Sequence, residues 1–170
     1  MVTAPKETCE GSGTSRKTGA GASEANRRGQ FFFWRNSPLI PDDEFLRAFF
    51  GLTLANSEFR HRDHLRLAWL AVRRHGAGAA EEVVTAGIRR FAQHNSHGPL
   101  YHDTMTRFWV RLVGHAVAAR PEIVDFDEFL ATFPLLLDKN TPLRHWSREA
   151  MFGPEARAAW QDPDLVALPF

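Results

Sequence analysis

From about residue 40 onward, apolar residues recur at helical spacing. Phe45, Phe49 and Leu52 follow at intervals of four and three, directly behind Pro41 and the acids Asp42, Asp43 and Glu44. Proline at the first helical position and acids in the first turn suit a helix start, where unpaired N–H groups carry partial positive charge. A second helix is predicted over about 59–75. Leu65, Ala68, Trp69 and Val72 give its apolar face, Arg73-Arg74-His75 its last turn, and Gly76 its end. A third helix over about 79–95 turns Val84, Ile88 and Phe91 inward. The loop Ser96-His97-Gly98-Pro99 separates it from a fourth over about 101–119. Met105, Phe108, Trp109, Leu112, Val113 and Ala116 form a broad face there, with an Asp103–Arg107 ion pair expected on the opposite side. Asp125 and Glu128 resemble a capping box opening a fifth helix, with Phe126, Phe129, Leu130 and Phe133 as core candidates. Beyond it the pattern breaks into short pieces. Ser147 is placed to cap one, and Gly153-Pro154 opens a last helix running through Trp160. The expected fold is an all-α, compact bundle of about five to six helices with an extended C-terminal tail packed across it.

Composition changes the picture at the other end of the chain. Residues 1–30 consist mainly of Gly, Ser, Thr, Ala and charged residues, with Val2 the only large aliphatic after Met1. Such a stretch cannot offset its ordering entropy by burial, so a disordered N-terminal arm (1–30) is expected ahead of a single helical domain (31–170). The tetrad Phe31-Phe32-Phe33-Trp34 then follows at once and is expected to be extended and packed on the domain.

Charge and cysteine content narrow the function classes. The formal net charge is +1. The arm holds five basic against three acidic residues, so the domain has no basic excess and a nucleic-acid partner is not expected. No apolar run reaches the ~18–20 residues needed to cross a bilayer, and the chain opens without the apolar core of a secretory signal. The expected location is the cytoplasm, away from membranes. Cys9, the only cysteine, allows neither an intrachain disulfide nor a cysteine metal site.

Histidines are the candidate chemistry. His61-Arg62-Asp63-His64 opens the second helix and His102 the fourth. Residues three apart share a helical face, so His61 and His64 point the same way, and His102 is in phase with Trp109 on the inner side of its helix. A helix start disfavours imidazolium, and neutral imidazole is what both a metal ligand and a general base must be. His61, His64 and His102 are therefore candidate ligands of one transition metal ion, with His145 as a fourth candidate. The competing reading is that these rings only bond backbone carbonyls. Arg62 and Arg107, with Trp109 and Trp146, are candidate substrate-binding residues. Two functions stay open: a small enzyme, metal-dependent if the three histidines converge, acting on a small molecule, or a non-catalytic module whose Arg-rimmed groove, lined by Trp69, Trp109 and Trp146, holds a hydrophobic ligand or a partner helix.

Known patterns match only in part. The HD phosphohydrolase superfamily is similar in being helical, with an early His and a later His-Asp pair, an order that His61 or His64 and His102-Asp103 follow. That superfamily's pair closes an apolar run, whereas Asn95-Ser96-His97-Gly98-Pro99 precedes it here. DinB-like bundles resemble it in using three histidines, at another spacing. A carboxylate-bridged di-iron bundle needs two Glu-x-x-His units, and only Glu58-x-x-His61 is present. The runs Phe59-Arg60-His61-Arg62-Asp63-His64-Leu65, Tyr101-His102-Asp103-Thr104 through Trp109, and Leu143-Arg144-His145-Trp146-Ser147 resemble the signature of a family of short bacterial proteins of unknown function. So does Glu155-Ala156-Arg157 through Pro163-Asp164-Leu165. That resemblance implies a compact bacterial domain and brings no activity with it.

Overall fold

The structure, a computed structural model, describes residues 40–170. The expectations for the arm and for the Phe31–Trp34 tetrad lie outside the described residues. Seven α-helices occur among these residues: α1 (Asp42–Phe50), α2 (His61–His75), α3 (Ala77–His94), α4 (Asp103–Ala119), α5 (Phe126–Thr132), α6 (Arg148–Phe152) and α7 (Pro154–Ala158). The last two have only five residues each, and tight 3-10 turns at Asn56–Glu58, Gly98–Leu100, Pro134–Leu137 and Thr141–Arg144 join the rest. No strand occurs among the described residues. The fold is all-α.

Helices α2, α3 and α4 build the centre. Helix α2 starts where the Asp63 carboxylate accepts the Arg60 N–H at 2.9 Å, and it buries Leu65, Leu67, Ala68, Trp69 and Val72. It ends at Gly76, whose φ of 78° and ψ of 161° belong to a region that essentially only glycine enters. That single residue sends α3 back along α2. Helix α4 reverses again. At Gly114 a Cβ would lie 3.2 Å from the Ala77 Cβ and 3.9 Å from Val72, so the late part of α4 crosses where α2 ends and α3 begins. The opposite end of the bundle therefore gathers the start of α2, the end of α3 and the start of α4.

The other elements wrap this core. Arg66, buried on α2, donates to Asp42 at 2.8 Å and to the Ile40 carbonyl at 2.7 Å, and its guanidinium covers the Phe45 ring, which fixes α1. The Asp125 carboxylate caps α5 by accepting the Glu128 N–H at 2.8 Å, and Ser147 caps α6 by accepting from Ala150 at 3.1 Å. Trp146 is fully buried edge-on to Phe108 and Trp160, and its indole N–H donates to the Gln161 carbonyl. Burial of one such ring contributes about 2–3 kcal/mol or more. Helix α7 ends at Ala158, short of the expected Trp160, because Trp160 turns back to bond Asp162 and the chain continues extended. The tail then docks on the 145–147 segment: Leu165 and Val166 donate to the His145 carbonyl, and Asp164 accepts the Ser147 N–H.

One expected surface feature is not at the surface. Asp103 and Arg107 do pair, at 2.7 Å, but Asp103 is only 3% exposed. Arg107 reaches across to Glu81 at 2.7 Å on α3, Arg111 binds the same Glu81 at 2.8 Å and covers the Trp160 ring, and Arg89 and Tyr101 also bond Asp103. The pair is the hub of an α3–α4 charge network.

Candidate functional site

At the end where α2 starts, α3 finishes and α4 starts, the three helices part around a cleft of about 350 Å³. Its volume lies in the lower part of the ~300–1,000 Å³ range of small-molecule sites. The walls are mainly apolar, with Phe59, Val84, Ile88, Phe91, Met105 and Trp109 contributing most of the side-chain bulk. No Asp, Glu, Lys or Arg lines the cleft among the described residues. The polar side chains that reach it include four imidazoles, those of His61, His64, His97 and His102.

These four rings differ in what they already bond. His102 is the N-cap of α4. Its Nδ1 accepts the Met105 N–H at 3.2 Å and its Nε2 donates to the Met151 carbonyl at 2.7 Å, so both nitrogens are engaged. Burial lowers its pKa, which suits a ring that must stay neutral to accept at Nδ1. His61 donates from Nε2 to the Leu136 carbonyl at 2.8 Å, and its ring stands edge-on to Trp109 at 4.7 Å. That bond fixes the tautomer and leaves Nδ1 as an acceptor lone pair. His64 packs at a tilt against Phe59, with ring centroids 4.1 Å apart, and forms no hydrogen bond with a described residue. Burial first, then neighbouring His61 and the Lys139 charge, bring its pKa down to about 4. Burial and Lys139 also lower that of His61, against the Leu136 bond. His97 stands exposed at the rim.

The expected metal centre does not assemble. Among the described residues no three His, Cys, Asp or Glu side chains are grouped to hold a metal ion. His102 has no nitrogen to offer, His61 offers one, and His64 alone has both. The donor set does not fit a resident three-nitrogen metal. The likeness to a His-Asp metal pair fails for the same reason, since Asp103 is committed to Arg89, Arg107 and Tyr101. His145 lies elsewhere: its Nδ1 donates to the Val166 carbonyl at 2.9 Å and holds the C-terminal tail.

Of the residues expected to bind substrate, Trp109 lines the cleft and the other three do not. Arg62 pairs with Asp127 and covers the Phe126 ring, which ties α2 to α5. Arg107 is committed to the α3–α4 network, and Trp146 is sealed in the core. The Arg-rimmed, three-tryptophan groove is replaced by a cleft without arginine and with a single tryptophan; Trp69 packs on Phe126 and Phe129 instead. His97 and Phe59 line the cleft without having been expected there. Both were within reach, because an up-down-up bundle brings the 96–99 loop and the approach to α2 to one end.

Helix Ala77–His94 is 18 residues long, yet no helix among the described residues is both long and apolar enough to cross a membrane. Comparison of the chain with protein-family models, with curated proteins and with solved structures gave no match.

Proposed function

We propose that this chain binds a small, mainly apolar molecule in the cleft between α2, α3 and α4, oriented by hydrogen bonds to His64 and to Nδ1 of His61. One observation carries the reading. At this end of the bundle Thr106, Tyr101 and His102 all have their polar atoms bonded to protein, whereas His64 and one nitrogen of His61 do not, and unlike the equally unbonded Asn56 and His97 they are not exposed at the rim. A polar atom left unbonded costs free energy unless water or a ligand completes it, and these atoms border the cleft. A neutral, fluorescent, apolar probe such as N-phenyl-1-naphthylamine tests the idea. It should bind with one site per chain, and Ala92→Trp, which projects an indole from α3 into the cleft, should weaken it at least tenfold. Unchanged affinity in that variant, with its fold intact by circular dichroism, would overturn the reading.

A second reading has one observation in its favour. The His61–Leu136 bond holds an imidazole with its acceptor nitrogen unbonded, the arrangement a general base requires. On this reading the bound molecule gives up a proton to His61 Nδ1.

A further inference from the structure

We infer that the molecule taken by this cleft is a neutral apolar alcohol or phenol, whose hydroxyl donates to Nδ1 of His61 and accepts from His64. The inference rests on the cleft reading above and names the class of ligand. Its starting point is a backbone carbonyl. The Leu136 C=O can only accept, so the His61 Nε2 that meets it at 2.8 Å carries the proton of the ring. In the neutral ring Nδ1 is then a bare lone pair. Burial lowers the pKa of His61 from its ordinary 6.5, so the neutral form prevails at pH 7.5. The ring is also held in place, by the Leu136 bond on one side and by its edge-on contact with Trp109 at 4.7 Å. The direction of the lone pair is therefore set before a ligand arrives, and the group that meets it must be a donor.

His64 supplies the complement. Its ring packs on Phe59 without a hydrogen bond to a described residue, and a neutral imidazole offers one N–H and one lone pair. The free nitrogens of both rings can be reached. Among the described residues, the unbonded side-chain nitrogens and oxygens sealed from solvent are Trp69 Nε1 and Thr85 Oγ1, and neither histidine is among them. Three positions apart on one helix face, the two side chains start from Cβ atoms about 5–6 Å apart, so one oxygen can serve both rings. A hydroxyl is the smallest group that gives and takes a hydrogen bond at a single atom. An ether, a ketone or an ionised carboxylate only accepts, and sets its lone pairs against that of Nδ1. An ammonium donates, but among the described residues no Asp or Glu lines the cleft to pair with it. The rest of the wall, from Phe59 through Ile88 and Phe91 to Met105 and Val110, offers carbon and sulfur, which suits a hydrocarbon or aryl body.

Isothermal titration of the full chain at pH 7.5 with 2-naphthol, 2-methoxynaphthalene and 2-naphthoate tests this directly, since the three share one apolar body. The naphthol should bind at least about fivefold tighter than either of the others, because neither can bond Nδ1 and its lone pair is left unmet. His61→Phe keeps an aromatic ring against Trp109 and removes the acceptor. In that variant the naphthol and its methyl ether should bind within about twofold of one another. Nitrogen NMR of the wild-type chain makes the same test without a substitution. The His61 Nδ1 resonance should move upfield with 2-naphthol, as it does when the lone pair accepts a hydrogen bond, and should not with the methyl ether. Ether or carboxylate binding as tightly as the naphthol would overturn the inference. So would an Nδ1 resonance that the naphthol leaves in place, or a preference for the naphthol that survives in folded His61→Phe. Failure of all three compounds to bind would overturn it too. N-phenyl-1-naphthylamine binding then separates the cases: retained, the cleft reading stands without the hydroxyl; lost, both fall.

Discussion

Helix α4 has polar groups on two sides, and the two groups are built on opposite principles. Toward α3, Asp103, Arg107, Glu81, Arg111 and Arg89 form a closed network in which each charge meets an opposite one. Burial alone would raise the pKa of Glu81, yet its bonds to Arg111 and Arg107 bring it below the usual carboxylate range. Arg107 is held above its own ordinary value, chiefly by Glu81. Toward the cleft, the imidazoles of His61 and His64 keep nitrogens that no described residue satisfies, beside a void of about 350 Å³. Polarity alone does not mark a binding site. The charged cluster has the greater polarity and each of its charges meets an opposite one, so it serves stability, whereas the nearly neutral cleft keeps imidazole nitrogens open to a ligand.

The largest effect expected is on the closed side. Asp103→Ala should cost about 3–4 kcal/mol in denaturant unfolding, because it removes a buried carboxylate that bonds Arg89, Arg107 and Tyr101 at once and leaves a hole in its place. The figure falls at the low end of the range for buried pairs because both arginines keep some access to water. Probe binding in the cleft should be unaffected once the variant is folded. A loss under 1 kcal/mol would mean that the network is solvated and the contrast is wrong.

The next effect belongs to the cleft and depends on pH. The folded chain refuses a proton at His64 until pH falls to about 4, whereas the unfolded chain accepts one near 6.5. Between those values the unfolded state binds more protons, so stability is present in full above pH 6.5 and declines as pH falls toward 4. At about 1.4 kcal/mol per pH unit, His64 should account for roughly 3 kcal/mol of acid destabilisation. His61 and His102 act in the same direction. His64→Gln should flatten the wild-type slope measurably, and an unchanged slope would show that His64 is not held neutral by the fold.

Two smaller effects sharpen the contrast. At pH 7.5 His64→Gln should cost no more than about 1 kcal/mol, since its ring forms no hydrogen bond with the described protein and only its packing on Phe59 is altered. Arg62→Ala should cost about 0.5–1 kcal/mol, because its partner Asp127 is largely exposed. Cleft binding should be the same in wild type and Arg62→Ala by fluorescence titration. A drop in affinity would restore Arg62 to the site.

Much of this fold is legible in the sequence, since Pro41, Gly76 and Asp125 mark helix boundaries that hydrophobic spacing then fills. The face shared by His61 and His64 follows from the same periodicity, as does the inward phase of Trp109. What spacing cannot supply is the partner that arrives from elsewhere in the chain. The Met151 carbonyl that occupies His102 lies 49 residues away, and the Leu136 carbonyl that fixes His61 lies 75 away. Arg62 and Arg107 sit at helix starts, in positions suited to an anionic substrate. Only the tertiary fold brings Asp127 and Glu81 to claim them. His102 and Asp103, adjacent in sequence, divide between the two sides of α4 and go to separate tasks.

The measurement that bears most directly on the cleft as a binding site is a histidine-resolved NMR titration. Imidazole carbon and nitrogen resonances would be followed as N-phenyl-1-naphthylamine is added at pH 7. The account predicts large, saturable shifts at His61 and His64, smaller ones at His97 and His102, and none at His145, which holds the tail on the far segment. Shifts confined to His145 or His115, or saturable binding that leaves His61 and His64 unmoved, would contradict it.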